Sequence, residues 1–482
     1  MRIAHLKIAL FVLVLVAPVA VLLLYGAVES YGREHPEFPA IDKMLRGKKG
    51  RMDQFGDAVL QRSELTKLAI EFRSWVAYRL VGFVDTTQIV SGEDGWLFYR
   101  PEFTDARCID EASAAAALRR LAVLVDMGRA AGIDLFVSIA PDKSTIYPEM
   151  LNQRMRGYWR CREQNIATLR RLMKRWMPEM IDHAEALRAE KAAHPERPLY
   201  YFGDTHWSPY GAAIALRQLL VAVFPDRPIA APQPTGETRG HRADLSKMLL
   251  LALEEQVATL DPAIENDLAT LNRDPDGYRT VIAHDSFYAM LMPQLRAVFP
   301  DVRTFHFVQD SGELGPPTLS ANRLIINVLE QTLLPRILDS HLNWNTPMMM
   351  AIIKRSTIAA KACRNFTAAG AGSRLGGEDS PVSIDLPAAQ PARLPCLRLT
   401  LAKPVASLLE VMLPDPQDGA FEPGHGFLYR LAADKRVVSF VLPAYVAGGG
   451  IRLALSAAAR PIALQAIEIG DVDWADIETA DR

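Results

Sequence analysis

The stretch RTVIAHDSFYAML, residues 279–291, decides the fold class. A short apolar run of the kind buried on both faces passes into Asp285-Ser286 and then straight into a helical pattern, which is the strand-to-helix turn of a parallel α/β unit. The same alternation recurs on either side. Upstream stand the helical ASAAAALRRLAVLVDMGRAA, the strand-like DLFVSIAP, a long Arg-rich helical stretch from Arg160, the strand-like PLYYF and the helical GAAIALRQLLVAVF. Downstream come the strand-like VRTFHFV and RLIINVLEQ. Strands alternating with helices predict an open parallel sheet with helices on both faces.

Past a linker-like AGSRLGGEDS at 371–380 the pattern changes to short apolar runs (SIDL, LRLTLA, SLLEVMLP, FLYRLA, VVSFVLPA, IRLALS and ALQAIEIG) broken by turn residues. This spacing predicts a β-sandwich over 381–482. At the other end, IALFVLVLVAPVAVLLLYGAV (8–28) carries no charge over 21 residues. That run is long enough to span a bilayer and longer than the apolar core of a cleaved signal. Arg2 and Lys7 precede it and Glu29 follows it, so the short N-terminus is expected in the cytoplasm and the rest outside, held at the inner membrane. The expected division is an anchor at 1–29, a helical stalk at 30–84, an α/β body at 85–370 and the sandwich at 381–482.

The size of 482 residues, with 49% apolar and 23% charged side chains, is that of a packed multidomain protein. Lys and Arg number 54 against 56 Asp and Glu, a net charge of −2 that predicts no nucleic-acid partner. The four cysteines predict disulfides in an exported chain. Three pairings are open, and proximity along the chain favours Cys108–Cys161 and Cys363–Cys396. Clustered metal ligands and a phosphate-cradling glycine loop are both missing, so no metal or nucleotide cofactor is expected.

Two places carry the residue types of acyl-transfer chemistry. In GDTHWSPYGAAIAL (203–216), Asp204 can hold one nitrogen of His206 and leave the other free as a base, while Ser208-Pro209 opens a helix. In HDSF (284–287), Ser286 sits at the turn after a strand, where a hydroxyl is exposed at the sheet's edge and helix amides are near. Ligands of open parallel sheets bind beyond the strands' carboxyl ends, where both segments are predicted to emerge.

Together GEDGWLFYR (92–100), APDKSTIYP (140–148), DTHWSPYGA (204–212) and HDSF (284–287) resemble the successive blocks of the AlgJ/AlgX family of SGNH-hydrolase-like proteins, which O-acetylate alginate and related exopolysaccharides. The resemblance covers roughly residues 85–335. It implies a three-layer α/β/α domain, a catalytic triad of Asp204, His206 and Ser286, and a periplasmic setting. It also implies a polysaccharide acceptor and a membrane-bound O-acyltransferase that delivers acetyl groups. Lys143, Tyr147, Trp207 and Tyr210 are the expected substrate-binding residues of the cleft. The expected activity is O-acetyl transfer to a secreted polysaccharide; a polysaccharide acetyl esterase and a non-catalytic polysaccharide-binding scaffold are the alternatives.

Overall fold

The computed structural model describes residues 64–104, 110–251, 253–260, 278–306, 309–330, 346–370, 372–376, 381–388, 390, 392–422, 424–455 and 461–479. The proposed anchor at 8–28 and the stalk before Glu64 lie outside them. No helix among the described residues is long and apolar enough to cross a membrane.

Five strands, β1 (Asp134–Ala140), β2 (Ile181–Asp182), β3 (Thr280–His284), β4 (Val302–His306) and β5 (Arg323–Leu329), form one sheet in the order β2-β1-β5-β3-β4, every pair parallel. The expected parallel α/β sheet is therefore present, with one exception. PLYYF makes no strand; Tyr200 forms only an isolated bridge to Trp207, which closes a loop over 201–206. Its alternation of aromatic side chains comes from packing inward on the core, where Tyr200 and Tyr201 are each 1% exposed.

Side-chain alternation along the strands divides the core. Leu135, Val137, Ile139, Val281, Ala283, Leu324, Ile326 and Val328 face one side, against helices α1 (Glu111–Ala130), α2 (Arg156–Trp176) and α5 (Pro347–Ala359). Ile282, Ile325 and Leu329 face the other, against α3 (His183–Ala193) and α4 (Pro209–Val223). Each fully buried branched side chain contributes about 1.5–3 kcal/mol, and these apolar faces hold the three layers together. Helix starts follow ordinary capping: Asp110 accepts from Ser113 N at 3.0 Å ahead of α1, and Ser208 Oγ accepts from Gly211 N at 3.2 Å with Pro209 following it in α4.

The C-terminal part is two antiparallel sheets. Arg364–Gly370, Ile462–Asp473, Arg393–Leu401 and Val437–Val441 make one, with Arg374–Leu375 paired beside them; Val382–Asp385, Gly450–Leu455, Ser407–Met412 and Gly426–Leu431 make the other. All seven sequence runs form strands. The two extra strands, Arg364–Gly370 and Arg374–Leu375, precede the boundary read from sequence, so sandwich pairing begins inside the stretch taken for the α/β body and linker. Their exposure explains why: Arg364–Gly370 is half-buried or exposed throughout and carries no apolar alternation.

The sandwich is fused to the body through a common apolar core that runs from Leu118 and Leu121 of α1 to Leu409, Val411 and Phe427. Gly424, at φ +84°, lets its loop touch α1, where a Cβ would stand 2.6 Å from Ala116 O. Cys363 and Cys396 are disulfide-bonded, as proximity predicted, and tie the end of α5 to the sandwich. Cys161 is also disulfide-bonded, while its expected partner Cys108 lies outside the described residues.

Candidate active site

Because the sheet is parallel, the segments after β1, β3 and β5 leave on the same edge. They bring Asp142-Lys143, Asp285-Ser286 and Glu330 together there. The loop carrying Asp204 and His206 follows no strand of this sheet. Side chains hold it at the edge instead. Lys143 Nζ donates to the carbonyls of Tyr201 (3.2 Å), Phe202 (3.1 Å) and Asp204 (2.6 Å). From the other side, Glu255 accepts from the amides of Phe202 (2.7 Å) and Gly203 (2.8 Å).

Asp204 has every acceptor position used. Its Oδ1 takes His206 Nδ1 at 2.7 Å and the His206 amide at 3.1 Å; its Oδ2 takes His241 Nε2 and the Asp244 amide, each at 2.8 Å. Burial alone would raise its pKa, but these donors and the neighbouring His206 hold the carboxyl far below the usual carboxylate range. In His206 burial favours the neutral ring. The bond to Asp204 and the charges of Asp204, Asp244 and Asp285 outweigh it, leaving the imidazole above its ordinary value. Its Nε2 is buried and has no hydrogen-bond partner among the described residues.

The His206 ring packs against the turn that carries Ser286. The His206 ring is 5.0 Å from the ring of Phe287, the next residue along, and Asp285 is close enough to share its charge. Ser286 is exposed at the first position of a single helical turn, Ser286–Ala289. The cap is Asp285, whose Oδ1 accepts from Phe287 N at 2.9 Å, so the Ser286 hydroxyl has no capping duty. With Nε2 without a partner, no Ser286–His206 hydrogen bond is formed. The neighbours of Ser286, Asp285 and Phe287, lie near the His206 ring, and the contact between Ser286 Oγ and His206 Nε2 is left open.

The four expected substrate-binding residues are all buried. Lys143 is 0% exposed with its ammonium committed to the loop carbonyls. Tyr147 accepts from Leu199 N at 2.9 Å and packs on Trp96, and Trp207 is edge-on to Phe287 at 5.0 Å. Tyr210 donates to Glu190 and accepts from Arg197 at 3.3 Å. These side chains build the wall behind the site. Polar residues and aromatics near a motif do not reveal from sequence which way they point.

Sequence reading missed His241, Asp244 and Glu255. His241 also stacks on Tyr201, with ring centroids 3.8 Å apart and planes 13° apart. Asp244 accepts from Thr205 N at 2.8 Å and Thr205 Oγ1 at 2.6 Å. The local signal is only a His-x-x-Asp spacing at the end of the hairpin Pro234–Arg242/Glu254–Leu260. Ligand-type atoms of Asp204, His206 and Asp244 lie within 4.8 Å of one another, a spacing that metal sites use. Here His206 Nδ1 is turned to Asp204 Oδ1 in a hydrogen bond, which commits the lone pair a metal would need, so the group reads as a hydrogen-bonded cluster.

Asp285 is the second acid of the site, half-buried with its Oδ2 enclosed. Its Oδ2 has no partner among the described residues, and burial pushes its pKa up to about 7. A carboxyl raised from 3.8 to about 7 gives stability that is fully present below 3.8 and is lost as pH rises through 7. Asp285→Asn is therefore expected to gain stability relative to the parent by about 1–3 kcal/mol between pH 4 and pH 8. Denaturant melts at the two pH values check this; an equal difference at both would contradict it.

A parallel α/β sheet with an Asp-x-His loop and a strand-end serine near one edge is the arrangement expected from the resemblance to SGNH-hydrolase-like proteins. Residues 89–266 match the family described as SGNH hydrolase-like domain, acetyltransferase AlgX. Among curated relatives, "Probable alginate O-acetylase AlgJ" of Pseudomonas aeruginosa is 28% identical over 172 residues, and the protein of that name from Pseudomonas syringae pv. tomato is 26% identical over 173. Each match takes in 34% of this chain and 41% of the relative, so the chain spans less than half the length of either. Similar solved structures include the O-acetyltransferase domain of Pseudomonas putida AlgJ (19% identical, TM-score 0.36, 52% of this chain and 93% of that one). Another is Pseudomonas aeruginosa AlgX (14% identical, TM-score 0.38, 80% of this chain and 94% of that one).

Proposed function

We propose that this chain is an extracytoplasmic O-acetyltransferase acting on a secreted polysaccharide through Ser286, His206 and Asp204. The observation that carries this reading is the buried, free Nε2 of an Asp204-oriented imidazole whose ring packs 5.0 Å from Phe287, in the turn of a serine released from capping. In the reaction, His206 Nε2 takes the Ser286 proton as Oγ attacks an acetyl donor. The Ser286 amide, at the first position of its turn, faces the developing oxyanion, and His206 returns the proton to the leaving group. A sugar hydroxyl then gives its proton to His206 and attacks the acetyl-serine ester, and as the acyl–Oγ bond breaks His206 passes the proton to Ser286 Oγ, restoring both residues.

A second feature supports a polymeric acceptor. A cleft of about 1020 Å³ between α5 and the sandwich is lined by Lys354, Lys361, Arg398, Arg430 and Lys435 against Glu468. Such an excess of cations favours a polymer with negative groups. In this reading residues 8–28 tether the protein to the inner membrane, near a membrane-bound O-acyltransferase that supplies acetyl groups. Five of the ten large apolar side chains exposed among the described residues, Leu68, Phe72, Trp75, Leu80 and Val81, cluster on the helical segment nearest that tether, which supports a membrane-side location.

The test is to give the purified full chain a chromogenic acetyl ester with and without acceptor oligosaccharide. Acetyl appearing on the sugar supports transfer. Release only to water would make the protein an esterase, and no release at all would leave a polymer-binding scaffold.

A further inference from the structure

We propose that Lys143 is a positioning residue of the acyl-transfer site: its ammonium clamps the Asp204–His206 loop and sets the basicity of His206. The inference rests on the catalytic reading of His206. Three observations carry it. First, the loop pairs with no strand of the parallel sheet, and beyond the Tyr200–Trp207 bridge the described backbone bonds that tie it to other segments are Leu97 N to Phe202 O at 2.8 Å and Ser246 N to Gly203 O at 3.2 Å, so side chains carry much of its placement. Second, the three N–H groups of Lys143 meet three loop carbonyls at 2.6–3.2 Å, including that of Asp204 itself. Third, the side chain is completely enclosed, with its ammonium 5.5 Å from the Trp96 ring centroid and 5.1 Å from that of Phe98.

An ammonium matches this cradle because only the charged form has three donors; the neutral amine has two and must give up one of the three carbonyls, of which Phe202 O has a second donor, the Leu97 amide at 2.8 Å. Burial lowers the Lys143 pKa to about 8, while Glu102, Asp244, Glu255 and Asp204 favour the charged form. The groups facing His206 are Asp204, Asp244 and Asp285, with His241 beyond Asp204 and Phe287 against the ring. All the charges in that set apart from the histidines are negative. Lys143 is thus the cation nearest the loop, and removing it lets the surrounding carboxylates hold the His206 proton more tightly.

The experiment titrates His206 by nitrogen-15 imidazole NMR in the full chain, alongside acetyl-ester kinetics. In Lys143→Met the His206 midpoint is expected to rise by about half a unit or more. With that shift, kcat should fall at least about tenfold while KM stays within about twofold, because the loop's geometry and not substrate affinity is changed. Lys143→Arg keeps the charge but not the three-carbonyl fit, so its midpoint stays near that of the parent while kcat falls. A folded Lys143→Met protein with unchanged midpoint and kcat overturns the proposal.

Should Lys143→Met fail to fold, the unmodified chain still decides. The amides of Gly203 and Thr205 must report a transition near pH 8 as the clamp loses its third donor, and flat amide shifts between pH 7 and 9 overturn the proposal. If the parent chain turns over no acetyl ester, the catalytic reading has failed. The NMR midpoints then still accept or reject the link between Lys143 and His206.

Discussion

Ser286→Ala is expected to lower acetyl release by at least about a thousandfold while leaving the melting temperature unchanged within error. The two halves of this expectation come from one structural fact. Asp285 caps the turn through its own carboxylate, so Ser286 contributes no bond to the fold and is exposed. A serine kept only to start a helix would cost stability when removed and leave chemistry alone. A nucleophile does the reverse. Parallel measurement of melting and of ester turnover separates the cases; unchanged turnover would remove Ser286 from the mechanism.

Asp204→Asn is expected to be nearly as damaging to turnover, by about 10³–10⁴-fold, and also to destabilise the protein by about 2–4 kcal/mol. All four of its contacts are donors: two imidazoles and two amides. An asparagine amide must turn its own N–H groups toward one pair of them, leaving donors facing donors. Its pH behaviour also has a defined sign. The parent should gain activity as pH rises through a His206 midpoint above the ordinary 6.5, since only the neutral ring accepts the Ser286 proton. Without the Asp204 charge the opposing effect of burial gains weight, so the residual activity of Asp204→Asn should rise at lower pH than in the parent. A variant with an unshifted limb would show that another group titrates.

The parallel sheet was legible because strands buried on both faces read as apolar runs, as in TVIAH and RLIINVL, and the helices between them keep their period. The pairing of Asp204 with His206 was legible because the two lie two residues apart in a turn. The supports of that pair were not. His241, Asp244 and Glu255 reach the loop from 37 to 53 residues away along the chain, through a hairpin with weak local patterning. PLYYF misled because inward-facing tyrosines imitate a strand. Lys143 misled in the opposite sense: a lysine next to a strand end reads as a cleft residue, and only the three carbonyls around it show that it points into the protein.

The claim beneath the whole account is that His206 Nε2 activates Ser286 Oγ. It is tested most directly by treating the full chain with a serine-directed sulfonyl fluoride and mapping the adduct by peptide mass spectrometry. A single adduct is expected, on Ser286, formed in the parent chain and suppressed in His206→Ala. Labelling of a different residue, or equal labelling of Ser286 with and without His206, would contradict it.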